Sequence, residues 1–264
     1  MECATDKLRE KIARGETVFG THTSWGGALV PELYGVAGFD VVWIDTEHGN
    51  MNPRDMENAL IGARAGGIPA FVRVPWHSGV MAKPILDLGA DGIVFPMVNT
   101  PELAREVVAA CKYPPVGDRG FGPFRAMRYG SIDAQEYITE RSKKVWVMPQ
   151  IEHIEAVKNL DAILKVPGID LLVVGPCDLS GSLGVLGQTN HPKVKEVMDE
   201  IAGKAKAAGV PFGVSLIYNE EAVTDWIRRG VSVIFCDNEG SYLVNGCRKT
   251  LGSLRQIEAA KKQS

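Results

Sequence analysis

The chain has no cysteine pair at C-x-x-C spacing, and its five cysteines, Cys3, Cys111, Cys177, Cys236 and Cys247, are scattered. That excludes a thiolate zinc site, and an odd, scattered set reads as free thiols in a reducing cytoplasm. No apolar run approaches the ~18 residues of a membrane span, and the opening Met1-Glu2-Cys3-Ala4-Thr5-Asp6 lacks the apolar core of a secretory signal. A cytoplasmic protein without membrane contact is therefore expected. Neither charge sign dominates. The 29 Lys and Arg against 32 Asp and Glu leave a net charge of −3, so no nucleic-acid-binding surface is expected. G-x-S-x-G, P-loop and H-E-x-x-H patterns are absent, which removes the simplest routes to a serine hydrolase, a nucleotide cradle or a zinc protease. No Pro/Ser linker, repeat or low-complexity tract divides the 264 residues. That length suits one (β/α)8 barrel, about 250 residues.

What is present is an alternation of short apolar runs and amphipathic stretches. Residues 5–15 read as a lead-in helix. Strands are expected at 17–21, 41–44, 70–73, 92–95, 145–150, 171–174, 212–214 and 231–236. Helices fall between them at 26–36, 53–65, 80–88, from 100, 154–164, 192–208 and 219–229. Pro53 and Thr100-Pro101 mark helix starts; Gly209 and Gly230 mark stops. Residues 113–140, rich in Gly, Pro and Arg, read as a long loop, and 242–262 as a final helix. Eight strands alternating with helices predict a single α/β domain, a (β/α)8 barrel over about 15–238 with a C-terminal helical segment at 239–264. An open doubly wound sheet would more often carry a Gly-rich turn after its first strand, and Gly20-Thr21-His22-Thr23-Ser24 is not one.

In a parallel barrel, chemistry collects at the C-terminal ends of the strands. Asp45 and His48 follow the second strand, Arg73 ends the third, Gln150 and Glu152 end the fifth, and Asp178 follows the sixth. Each alone has an ordinary structural role, such as a helix cap or an ion pair. Together they predict one polar rim. Glu152 and Asp178, with no soft ligand nearby in sequence, suit a hard cation: Mg²⁺ or Mn²⁺, with Co²⁺ as an alternative. Such an ion could act as a Lewis acid on a 2-oxo acid, with Arg73 donating to the same oxygen. Asp45 and His48 suggest an imidazole base held by a carboxylate, and Glu47 between them reads as structural. Backbone N–H groups after Gly175 could receive a substrate carboxylate. A Schiff-base route is disfavoured, because Lys144 precedes its strand and belongs to the opposite rim. Gly181-x-x-Gly184-x-x-Gly187 reads as a flexible loop, and His22, His77, His153 and His191 have no partner identifiable from spacing.

Ile44-Asp45-Thr46-Glu47-His48-Gly49, Val72-Arg73-Val74-Pro75, Leu86–Gly92, Tyr113–Gly120, Gln150-Ile151-Glu152, Gly168-Ile169-Asp170 and Gly175-Pro176-Cys177-Asp178-Leu179-Ser180 together resemble the HpcH/HpaI family of metal-dependent 2-oxo acid aldolases. The resemblance spans roughly residues 15–250. It implies a (β/α)8 barrel and a divalent metal on Glu152 and Asp178. It places Arg73 on the pyruvate part of the substrate and gives proton handling to His48 with Asp45. Gln150, Cys177 and Asp178 then line the substrate site, and the reaction is reversible cleavage of a 4-hydroxy-2-oxo acid to pyruvate and an aldehyde through a metal-stabilised enolate. It also implies homohexamers that exchange a C-terminal helix, and a role for Asp87 in a neighbouring subunit's site, although the residue itself reads as helix surface. Two rival readings are a citrate-lyase-β-like enzyme using CoA thioesters, with cations drawn from the 119–128 loop, and a non-catalytic metal or oxo-acid binder. Thr46 and Cys177 depart from the small residues common in the family, and the first strand's exit, His22-Thr23-Ser24-Trp25-Gly26, departs more.

Overall fold

A computed structural model describes residues 4–261; Met1, Glu2 and Cys3, and residues 262–264 of the expected C-terminal segment, lie outside them. Eight strands close into a barrel in sequence order: β1 Val18–Thr23, β2 Val41–Asp45, β3 Ala70–Arg73, β4 Gly92–Phe95, β5 Trp146–Ile151, β6 Leu172–Val174, β7 Phe212–Leu216 and β8 Val233–Asn238. All neighbouring pairs are parallel, including β1 with β8. The helices are α1 Ala4–Ala13, α2 Leu29–Ala37, α3 Pro53–Ala65, α4 Gly79–Asp87, α5 Pro101–Cys111, α6 Ala134–Glu136, α7 Ile154–Lys158, α8 Leu160–Ile163, α9 Pro176–Ser182, α10 Pro192–Ala208, α11 Glu220–Arg228 and α12 Glu239–Lys261. The expected fold class is therefore observed.

Strands β2 to β6 are buried along their whole length. This is why they read as continuous apolar runs rather than alternating ones. One face meets the helices. The other fills the barrel with Val41, Trp43, Phe71, Val94, Trp146, Met148, Val173 and Phe235. Helix α1 closes the N-terminal end: Leu8 joins the interior cluster, Lys11 pairs with Asp40 at 2.7 Å, and Arg9 pairs with Asp170 at 2.8 Å. Lys144 binds Asp6 of the same helix at 2.6 Å, on the rim expected for it.

The boundaries differ in instructive places. The expected helix over 154–164 is two short pieces, because Asn159 leaves helical geometry between α7 and α8. Strand β8 runs on to Asn238 and passes straight into α12. The 113–140 segment is not one open loop. It holds a short helix and several tight turns, and it encloses its own cluster of Tyr113, Ile132 and Tyr137. The stretch from Gly181 to Gly187 is a set of turns held by Ser180, whose hydroxyl accepts the Gly187 N–H at 2.9 Å. His153 and His191 are helix caps, each accepting a backbone N–H two residues on.

Candidate active site

Strand register decides which polar groups meet. Asp45 and Arg73 are direct partners across β2 and β3. The Arg73 guanidinium grips the Asp45 carboxylate through Nε at 3.1 Å and Nη2 at 2.5 Å, and reaches Glu47 through Nη1 at 2.9 Å. Both Asp45 and Arg73 are buried. Burial opposes ionisation of Asp45, but Arg73 and the backbone N–H groups of His48 and Glu47 outweigh it and hold the carboxyl below its ordinary range. Burial pushes Glu47 the other way, above its ordinary range, with Arg73 opposing.

This corrects the expected Asp45–His48 pairing. Asp45 meets His48 only through the backbone N–H, at 3.3 Å. The His48 side chain is 67 % exposed, and the carboxylate beside its Nε2 is Glu47, at 3.9 Å. A three-residue spacing places two residues near each other but does not say which cation an acid faces. Glu47, read as merely structural, links Arg73 to His48. Thr46 adds a further tie: its hydroxyl donates to the Arg73 carbonyl at 2.5 Å, which accommodates the larger side chain beside the pair.

Glu152 lies across the mouth from this cluster, just past the end of β5. It is 3 % exposed. One oxygen accepts the Met97 N–H at 2.8 Å, and the other accepts from the Gln150 side-chain amide. Met97 holds that N–H in place with a left-handed φ of 54°, a strained setting for a side-chain-bearing residue and one that nothing in the sequence signals. Burial pushes Glu152 up to about 7; the neighbouring Asp178 and Glu47 carboxylates add to the rise, against the Met97 hydrogen bond and Arg73. Gly175 allows this packing, since a Cβ there would sit 2.7 Å from a Glu152 oxygen and 2.8 Å from the Gln150 amide. Asp178 follows in the first turn of α9, exposed at the mouth, with Cys177 exposed beside it. Burial, then Asp178, raises the Cys177 thiol, so it is a poor nucleophile here.

The Asp178 carboxylate adds to the rise at both Glu47 and Glu152, the Arg73 guanidinium opposes it at each, and the buried Gln150 Oε1 has no partner. The oxygen donors of Glu152 and Asp178 are of the chemical kind that a hard divalent cation takes. Among the described residues no cluster of three or more His, Cys, Asp or Glu has metal-binding geometry. Two carboxylates would leave further positions to water and substrate oxygens.

Asp87 is placed elsewhere. At the end of α4 it accepts from Arg119 Nη2 at 2.9 Å. The Arg119 side chain is fully buried and lies over the Tyr113 ring. Asp87 is therefore not the free helix-surface residue that its sequence position suggested. It pins the 113–140 segment through Arg119 and makes no hydrogen bond or ion pair to the mouth residues of its own chain.

The family profile described as HpcH/HpaI aldolase/citrate lyase matches residues 28–244. The chain belongs to this family. It is 38 % identical over 216 residues to a hydroxypyruvate/pyruvate aldolase of Roseobacter denitrificans, covering 80 % of this chain and 84 % of that protein. It is 35 % identical over 211 residues to a 2-keto-3-deoxy-L-rhamnonate aldolase of Salmonella gallinarum, covering 79 % and 78 %. The crystal structure of an HpcH/HpaI aldolase from Desulfitobacterium hafniense superposes with a TM-score of 0.84 at 32 % identity, over 94 % of this chain and 96 % of that one. Family members by these names are lyases of small 2-oxo acids, and no helix among the described residues is long and apolar enough to cross a membrane.

Proposed function

We propose that this family member is a divalent-metal-dependent aldolase that cleaves a 4-hydroxy-2-oxo acid to pyruvate and an aldehyde, and runs the reverse addition. The reading rests on one observation: a buried carboxylate, Glu152, shares the barrel mouth with Asp178 and with the buried Arg73 guanidinium. Glu152 and Asp178 would hold the cation, Mg²⁺, Mn²⁺ or Co²⁺, which when bound supplies Lewis acidity to the 2-oxo acid's oxygens.

The residues supply the rest. Arg73 has five N–H donors, and three are engaged by Asp45 and Glu47. The others remain to hold the negative charge that develops on the keto oxygen as the C3–C4 bond breaks. Asp45 and Glu47 fix the guanidinium plane. His48, exposed and beside Glu47, takes the proton of the C4 hydroxyl as the C3–C4 electron pair passes to the enolate and the aldehyde leaves; the imidazolium then returns that proton to C3 to give pyruvate. The Cys177 and Asp178 N–H groups, in the first turn of α9 and without intrahelical acceptors, and the Gln150 side chain would orient the substrate carboxylate. The CoA reading is weakened because two of the three arginines in the 119–128 loop are committed: Arg119 is buried on Asp87, and Arg125 bonds the Leu88 carbonyl and pairs with Glu57. The exposed apolar residues Leu243, Leu251, Leu254 and Ile257 on α12 support association of copies through that helix.

The test is exchange of pyruvate C3 protons in D₂O, followed by NMR. Exchange is expected with Mg²⁺, Mn²⁺ or Co²⁺ and is expected to stop in EDTA. Full exchange by metal-free protein would refute the proposal, and a non-catalytic binder would show none.

A further inference from the structure

The first strand's exit holds a second polar unit in the same mouth. The His22 ring lies 5.2 Å from the Trp43 ring and 6.0 Å from Phe235, both residues of the barrel interior. Trp43 is also the ring beneath Arg73, at 5.3 Å, so it forms a shared wall between the guanidinium and His22. Ser215 of β7 is in register with Phe235 and so faces inward too. Its Oγ lies 2.9 Å from His22 Nε2, and His22 Nδ1 lies 2.9 Å from the Asp237 carbonyl.

The protons in this chain of contacts are fixed by chemistry. A carbonyl can only accept, so Nδ1 carries the hydrogen. Burial, and then Arg73, drive the ring's pKa down to about 4 against the opposing Asp237 hydrogen bond, so the imidazole is neutral at pH 7. Nε2 is then the acceptor, and the Ser215 hydroxyl donates its one proton to it. The backbone is shaped to hold this arrangement. Between Gly20 and His22 the register with β8 shifts, with His22 opposite Asn238, and Asp237 occupies the resulting bulge at φ 55°. A left-handed aspartate is strained, and the bulge turns its carbonyl onto His22.

With its proton committed, Ser215 can offer a ligand only lone pairs. It cannot donate to an aldehyde carbonyl, but it can accept from a hydroxyl. We infer that the Ser215–His22 pair is a specificity element that selects an aldehyde partner carrying a hydroxyl group over its deoxy counterpart. This rests on the aldolase reading, and it extends it by naming the class of aldehyde. One neutral hydrogen bond corresponds to on the order of tenfold in kcat/KM.

The experiment compares glycolaldehyde with acetaldehyde, which differ by one hydroxyl, as acceptors for pyruvate with Mg²⁺ present. The unaltered chain should prefer glycolaldehyde by about tenfold or more. Ser215→Ala should bring that ratio toward one, and Ser215→Thr, which keeps the hydroxyl, should restore it. Independently of any variant, ¹⁵N NMR of the histidines should show one ring locked as the Nδ1–H tautomer down to about pH 5, and shifting with glycolaldehyde but not acetaldehyde. No preference in the unaltered chain, an unchanged ratio in Ser215→Ala, or the opposite tautomer overturns the inference while leaving pyruvate exchange intact. Absence of pyruvate exchange overturns the aldolase reading itself.

Discussion

Replacing Glu152 with glutamine separates what this carboxylate does for the fold from what it does for a cation. In the metal-free chain Glu152 stands at about 7 against an ordinary 4.5. Its folded-state pKa is raised, so between those values the folded chain holds a proton that the unfolded chain has released. Its contribution to stability is therefore greatest below about pH 4.5 and falls as pH rises through 7. A shift of that size corresponds to roughly 3 kcal/mol once the group is ionised. The glutamine can keep the hydrogen bonds. Its oxygen would accept the Met97 N–H, and its NH₂ would face a Gln150 amide turned over to present Oε1, the atom that now lacks a partner. In EDTA, Glu152→Gln should match the unaltered chain near pH 4.5 and melt higher at pH 8, by roughly 6–12 °C at about 2–4 °C per kcal/mol. Mn²⁺ should then reverse the order, raising the melting temperature of the unaltered chain alone. Thermal melts at both pH values, with and without Mn²⁺, read all four conditions. A variant less stable than the parent at pH 8 without metal, or a difference that ignores pH, would refute the claim that burial, aided by Asp178 and Glu47, opposes ionisation of Glu152 in the folded chain.

Asp178 is exposed, so Asp178→Ala should change stability by no more than about 0.5 kcal/mol while abolishing Mn²⁺ binding in calorimetric titration; retained binding removes Asp178 from the ligand set. Arg73→Ala strips the cation from two partly or fully buried acids. It should cost roughly 3–5 kcal/mol in urea unfolding and on the order of 10²–10³ in turnover, whereas a mild loss in both would show that Asp45 and Glu47 have another partner. Leu251→Asp with Leu254→Asp should lower the mass measured by light scattering after gel filtration; an unchanged mass would place the association surface away from α12.

The barrel was legible because its signals are local. Runs such as Leu171–Val174 lack alternation because both faces are buried, and Pro75, Pro96 and Pro176 interrupt the chain just after strands end. The convergence of Asp45, Arg73, Gln150, Glu152 and Asp178 on one mouth followed from the same reading, since a closed parallel barrel brings every strand's C-terminal end to one side. The interior of the 113–140 segment did not follow. Its order comes from Arg119 on Asp87 and from aromatic packing across 18 to 32 residues, and no periodic pattern records such contacts.

The same distinction explains the mispaired acid. Asp45 and His48 are three apart, and a chain read in one dimension favours that neighbour. In a parallel sheet the nearer neighbour is 28 residues away, because the β2–β3 register places Asp45 directly beside Arg73. Once that contact forms, the buried guanidinium requires anionic partners more strongly than the exposed imidazole does, since an unpaired buried charge is penalised far more than a solvated one. Asp45 is therefore taken by Arg73, and Glu47, with one oxygen 2.9 Å from Arg73 and 3.9 Å from His48, becomes the carboxylate through which the proton-handling side of the mouth responds to its charge-holding side. Neutralising Glu47 should disturb both side chains at once, whereas neutralising Asp45 should act on Arg73 and, through the backbone N–H groups of Glu47 and His48, on the turn that follows β2, without removing the carboxylate beside the imidazole.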